Sequence, residues 1–368
     1  MSEVVGVLRA ATPADGAAFC DVFRRVTMEA DLHLAVERDP DFWALYAMQG
    51  QPWRTFAFEL NGRVEGLGSF LTRDAWMEAG TRRIAYGCDL RATPAARGGR
   101  FLREHMGRGF VDASRELGFE LALTAVIRSN QAAVRALVER AAPTQPLYTP
   151  VCDFEITNVL FTLRRSPRPS AFTVRPAEIA DLDLLGAFYA RERRPFSEPL
   201  DSERLADRLA RWPGLNIHDF RLAFDAGGRL VGALAVWDAN PVKRYRVLGY
   251  RGGMRWVRTG FNALSALTGA TPLPPPGDVL RYAYLTHVTV AGDAPEVMAA
   301  LLDRVYADWH GRGLTFLSAM VQAGDPMASA FARYRTTRLP ATLYAMTAPG
   351  SRPPELPPGR PGFEMALA

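Results

Sequence analysis

The chain has 368 residues, 48% of them apolar, enough for two or three cored domains, and no run nears the ~18 apolar residues of a membrane span. Its net charge of +5 arises from 44 basic residues scattered among 39 acidic ones, with a single lysine (Lys243) and no basic run of five, so nucleic acid is not expected as a partner. Cys20, Cys88 and Cys152 are odd in number and far apart, which reads as core thiols of a reducing, cytoplasmic compartment; the five dispersed histidines give no metal spacing.

The N-terminus is acidic by its third residue and lacks the basic-then-apolar build of a signal peptide. From there the chain repeats itself. "VLRAATPADGAAFCDVFRR", from Val7, matches "TVRPAEIADLDLLGAFYAR", from Thr173, with Arg9 facing Arg175 and Asp15 facing Asp181 at an offset of 166. The same offset joins "NGRVEGLGSF" at Asn61 to "GGRLVGALAV" at Gly227, each a Gly-bearing hairpin turn followed by an apolar strand. Downstream, Gly118 matches Gly313 at an offset of 195, so the second half carries about 29 extra residues, which "TGATPLPPPGD" (268–278) would hold as an extended loop.

Each half therefore reads as a strand, two amphipathic helices, a hairpin, an apolar strand, a Gly-bearing bend, a helix, a strand and a last helix. The expected fold class is α/β (α+β): two tandem domains at 1–163 and 172–347, each a mixed, mostly antiparallel sheet flanked by helices. Residues 164–171, "RRSPRPSA", are the linker, and 348–368 form a Pro/Gly-rich tail, mobile or docked by its apolar end.

The bend "DLRATPAARGGRFLREHM" (89–106) joins an apolar strand to a helix, and "SNQAAVRAL" follows at 129. This order resembles the GNAT superfamily of acyl-CoA-dependent N-acyltransferases over residues 6–345, as two copies. The family's phosphate loop, Pro-x-x-Arg/Gln-Gly-x-Gly-x-Gly/Ala, is matched by Pro94, Arg97 and Gly98, while Arg100 and Leu102 stand where small residues are usual. The resemblance implies acetyl-CoA or another acyl-CoA as co-substrate. Main-chain N–H groups of Leu90, Arg91 and Ala92 would polarise the thioester; Arg97, Gly98, Gly99, Arg100, Phe101 and Leu102 would meet the pyrophosphate; Asn130 would start the helix beside the pantetheine arm. In the second copy Asp293 takes the place of the phosphate-facing Arg/Gln, with Ala294 and Glu296 at glycine positions. Carboxylates there would repel a pyrophosphate, so one site, in the first copy, is expected.

Asp89 stands where the family often carries a carboxylate that receives or deprotonates the amine; the competing reading is an ion pair with an arginine such as Arg91. The family's tyrosine acid is replaced by Leu137, leaving Tyr148 as the nearest substitute, while His105 and His287 read as core residues. Glu29 and Asp31, with His33 and Glu37 nearby, would suit a cationic amine acceptor, a small molecule or a peptide. The function expected is N-acyl transfer to a primary amine without metal or membrane partner, with a homodimer open. The alternatives are a CoA-binding or sensing protein without turnover, and an aminoacyl transferase using transfer RNA, which would need a basic face that the sequence lacks.

Overall fold

The computed structural model describes residues 6–96, 100–139 and 142–367. The first half runs β1 (Gly6–Ala10), α1 (Gly16–Arg25), β2 (Leu32–Glu37), α2 (Ala44–Ala47), β3 (Trp53–Leu60), β4 (Arg63–Met77) and β5 (Gly80–Ala92). It continues with α3 (Arg100–Leu117), β6 (Ala122–Ile127), α4 (Gln131–Val134) and β7 (Leu147–Leu160). The second half begins β8 (Thr173–Pro176), α5 (Leu182–Arg191), α6 (Ser202–Arg211), β9 (Phe220–Phe224), β10 (Leu230–Trp237) and β11 (Arg244–Tyr250). After these come α7 (Met254–Thr268), β12 (Val279–Leu280), β13 (Tyr282–Val290), α8 (Pro295–Trp309), β14 (Phe316–Gln322) and β15 (Thr336–Thr347).

The repeated Arg and Asp have a physical reason. Arg9 grips Asp15 through two hydrogen bonds of 2.9 and 2.7 Å, and Arg175 grips Asp181 through two of 2.7 Å. Each carboxylate also accepts a main-chain N–H three residues upstream, from Thr12 or Glu178, tying the first strand of each half to the turn that opens its helix. Between β3 and β4, Asn61 and Gly62 both adopt positive φ (51° and 75°), the geometry that lets a two-residue turn follow the strand twist.

Twelve strands form one mixed sheet in the order β1-β3-β4-β5-β6-β15-β7-β14-β13-β10-β9-β8, so the two expected sheets are continuous. The halves trade their final strands. β15, from the end of the second half, inserts between β6 and β7 of the first and pairs antiparallel with both. β7 in turn pairs with β14.

Three expectations shift. Residues 32–37, where the expected order of elements has no strand, form β2, because an edge offered by β11 pairs with Leu32–Glu37 in a separate three-stranded sheet. The extra residues of the second half are not a proline loop alone: they include β11, α7 and β12. The tail docks by its apolar end, with Ala366 and Leu367 buried and Phe363 5.2 Å from the Tyr86 ring. The largest core joins the halves, running from Phe19, Phe23 and Phe42 to Phe188 and Trp237, and aliphatic side chains of α8 fill a second one against β10 and β13.

Candidate functional site

β5 and β6 run parallel but pair only at Ala85–Ala122 and Tyr86–Leu123. Beyond Tyr86 they part, and β6 continues against β15. At this parting the β4–β5 register slips: Ser69 faces Cys88, yet Leu67 faces Arg91. Asp89 and Leu90 thus oppose Gly68 alone, a bulge that puts Asp89 at φ 52°. The partner strand must be thin here. A Cβ at Gly66 would meet the Arg91 carbonyl oxygen and Phe58 at 2.7 Å, and one at Gly68 would come within 3.3 Å of the Leu90 side chain.

The Asp89 carboxylate sits in a closed network. It accepts 2.6 Å from Arg38 Nη2 and 2.7 Å from the Tyr46 hydroxyl, which also reaches Ser69 Oγ at 3.0 Å; Ser69 in turn meets Thr55 at 2.8 Å. Arg38 comes off the end of β2 and is wholly buried, its guanidinium 5.6–5.8 Å from the ring centroids of Phe23, Phe42 and Tyr46. Among the described residues its Nε and Nη1 have no hydrogen-bond partner. Burial pushes the Asp89 carboxyl up, but Arg38, Arg91 and the Tyr46 hydrogen bond outweigh it and hold it below the usual carboxylate range. Burial and the Asp89 charge push the Tyr46 hydroxyl well up. Asp89 is therefore an ionised, ion-paired group at neutral pH.

The arginine that pairs with Asp89 is Arg38 and not Arg91. Arg91 donates to the Val26 carbonyl at 3.1 Å and lies 4.0 Å over the Phe23 ring. No local pattern announces Arg38 or Tyr46, because their partner is 51 and 43 residues away.

Of the expected phosphate loop, Arg97, Gly98 and Gly99 lie outside the described residues. Arg100, Phe101 and Leu102 form the first turn of α3, and their side chains lie outside them as well. Asn130 caps α4, its side chain accepting the Ala133 N–H at 3.2 Å. Tyr148 is half-buried on β7; among the described residues its hydroxyl meets Met106 Sδ at 3.9 Å, and burial pushes its pKa up. Tyr148 and Leu90 border the same apolar cluster beneath α3. Glu29 and Asp31 are not brought to Asp89. Glu29 faces Arg251 at 3.3 Å, the Asp31 carbonyl accepts the Arg251 N–H at 2.7 Å, and seven residues, about 23 Å of extended chain, separate Asp31 from Arg38. Glu37 is held by Arg246 and Arg244.

The second half repeats the parting and the bulge. β13 and β14 pair in parallel only from Tyr282–Phe316 to Tyr284–Ser318, the β10 register slips between Ala233 and Ala235, and His287 takes φ 54°. Its surroundings differ. The His287 ring is buried, meeting Thr286 Oγ1 at 2.7 Å and Arg208 Nη1 at 3.0 Å; burial and Arg208 hold it neutral. Its main-chain N–H donates 2.9 Å to Glu364 of the tail. Pro361 to Glu364 also line the cavity there, about 150 Å³, beside Arg73 and Arg194. Asp293 is paired with Arg194 and Arg360, so its charge is neutralised. What fills this second position is the chain's own tail, and Asp293, one of the carboxylates expected to face a pyrophosphate, is turned to two arginines.

No family model and no curated protein matches the sequence. Solved structures do. A GCN5-related N-acetyltransferase from Sphaerobacter thermophilus is 17% identical with a TM-score of 0.57, over 94% of this chain and 97% of that one. Saccharomyces cerevisiae N-myristoyltransferase with bound myristoyl-CoA is 9% identical with a TM-score of 0.58, over 94% and 85%. A conserved protein of Enterococcus faecalis V583, described as a probable N-acyltransferase, is 10% identical with a TM-score of 0.52, over 94% and 73%. Over 94% of its length, then, the chain has the fold of the GCN5-related N-acetyltransferases.

Proposed function

We propose that the chain is an acyl-CoA-dependent N-acyltransferase, with acetyl-CoA as donor, a primary amine of a small molecule or peptide as acceptor, and one reaction site where β5 and β6 part. The Asp89–Leu90 bulge carries this reading, because it frees main-chain N–H groups from the ladder where a thioester carbonyl can lie. The first turn of α3, with Arg97 to Leu102, would hold the pyrophosphate at the positive end of the helix. The cleft of the second half is occupied by Glu364, which favours a single site.

In this reading the amine attacks as the neutral base and loses its proton to solvent as the amide bond forms. The N–H groups at the bulge, of Leu90 and its neighbour Arg91, take the charge that develops on the carbonyl oxygen, and Tyr148, kept protonated by burial, gives its proton to the departing thiolate. Asp89 stays ionised and holds Arg38 and Tyr46 beneath the bulge; it positions the backbone and transfers no proton. Glu29 and Asp31, engaged with Arg251, are left out of acceptor binding. Three free cysteines support a reducing, cytoplasmic setting.

The enclosure of Asp89 also favours a second reading, a CoA-binding or sensing protein without turnover. Incubation with acetyl-CoA and a panel of primary amines, following release of the CoA thiol, separates the two. Amine-dependent thiol release supports the transferase; binding without release supports the sensor; absence of both overturns the proposal.

A further inference from the structure

The helix α7 has no counterpart in the first half, where β4 and β5 are joined through Glu78 and Ala79 alone. It is also inverted. Its inward face is thin in apolar contacts: Met254 and Phe261 are half-buried there, Asn262 exchanges hydrogen bonds of 3.0 and 2.8 Å with the Leu273 main chain, and the one fully buried residue among those described is Ser265. Its outward face is apolar, with Trp256 79%, Leu267 85%, Leu264 59% and Val257 54% exposed. At 3.6 residues per turn, Trp256, Gly260, Ala263, Leu264 and Leu267 share an arc of about 100°. A water-facing helix of a monomer has the opposite polarity.

Charge identifies the partner. Residues 239–277 contain six basic side chains and no aspartate or glutamate. Arg244 and Arg246 pair with Glu37, and Arg251 with Glu29. Arg255 and Arg258, in contrast, bond to the carbonyls of Tyr250 and Pro274, with no carboxylate paired to either among the described residues. An apolar stripe ending in a tryptophan and bordered by uncompensated arginines is complementary to an anionic, water-lipid boundary. A second copy fits less well. The stripe is about 22 Å long and some 10 Å wide, roughly a quarter of the ~800 Å² each partner gives a stable dimer, and pairing would set arginines against arginines. No helix among the described residues is long and apolar enough to cross a membrane.

We propose that α7 docks the protein on the surface of a bilayer carrying anionic headgroups. Trp256, Leu264 and Leu267 enter the interface, and Arg255 and Arg258 draw the helix to it. This inference stands apart from the acyltransferase reading.

Co-sedimentation of the full chain with phosphatidylcholine vesicles, with and without phosphatidylglycerol, tests it. Binding is expected with phosphatidylglycerol, weakened by salt and by Arg255→Gln, together with a blue shift of emission that Trp256→Phe removes. Leu264→Gln and Leu267→Gln should each lower the partition roughly tenfold or more, as loss of a buried leucine does. Leu184→Gln, at an exposed leucine on α5, should leave it unchanged and shows that the effect is local. Both α7 leucines are exposed, so their variants should melt with the wild type. No binding to anionic vesicles at low salt, or binding that survives the double leucine variant, would overturn the proposal. So would concentration-dependent dimerisation in light scattering that the same variant abolishes, since it would give the stripe to a second copy.

Discussion

Asp89→Asn keeps the shape of the side chain at the bulge and removes its charge. Arg38 is 0% exposed and Asp89 10%, so the variant leaves a guanidinium buried without a counter-charge. Breaking such a pair from one side costs about 3–5 kcal/mol. With an unfolding entropy near 2.1 cal/mol/K for each of 368 residues, that loss lowers Tm by about 4–6 °C if the continuous sheet melts as one unit. Removing the guanidinium as well, in Arg38→Met/Asp89→Asn, should recover most of the loss. The pH dependence has a definite sign. A carboxyl held below its unfolded value of ~3.9 contributes stability that is full above that pH and is lost as the pH falls through the folded value. Acid melting curves of wild type and Asp89→Asn should therefore converge at low pH and separate near neutrality. The assay is calorimetry across pH beside turnover for the same preparations. The reasoning fails if Tm moves by less than about 1 °C while turnover drops 10²–10⁴-fold and the acidic limb of the rate profile disappears, since Asp89 would then be the general base.

Two further outcomes follow from the bulge and its surroundings. Gly66→Ala should destabilise the fold by about 1–3 kcal/mol, because its Cβ meets the Arg91 carbonyl oxygen, which a strand cannot move cheaply; a Tm equal to wild type would show that the two strands have more room than their register allows. Tyr148→Phe should lower kcat by about 10²-fold or more while leaving CoA affinity intact, because the contact its hydroxyl makes among the described residues is to a thioether; unchanged kcat would remove it from proton transfer.

How far the sequence could be read depends on the range of each interaction. The Arg9–Asp15 and Arg175–Asp181 pairs are six residues apart, so the motif and its repetition are visible in the chain. The strand-bend-helix order at 84–117 is likewise local. β2 was hidden because its pairing partner, β11, lies some two hundred residues away, so the strand depends on a contact that its own segment does not announce. The exchange of β7 and β15 leaves no local trace, since each strand keeps the same alternating pattern whichever neighbour it has. At the candidate site, Asp89 was legible as a carboxylate before a bend, but its surroundings were not. Arg38 and Tyr46 reach it across the sheet from β2 and α2. The outward stripe of α7 could have been found in the heptad-like spacing of Trp256, Ala263 and Leu267, although spacing alone does not say which side faces the protein.

Isothermal titration of the full chain with acetyl-CoA and with CoA tests the central claim most directly. One molecule per chain is predicted, with binding lost in Gly98→Val, where a branched side chain would fill the approach to the pyrophosphate, and retained in Glu364→Ala, which alters only the second cleft. Two equivalent sites, binding that survives Gly98→Val, or no heat with either ligand would contradict the account.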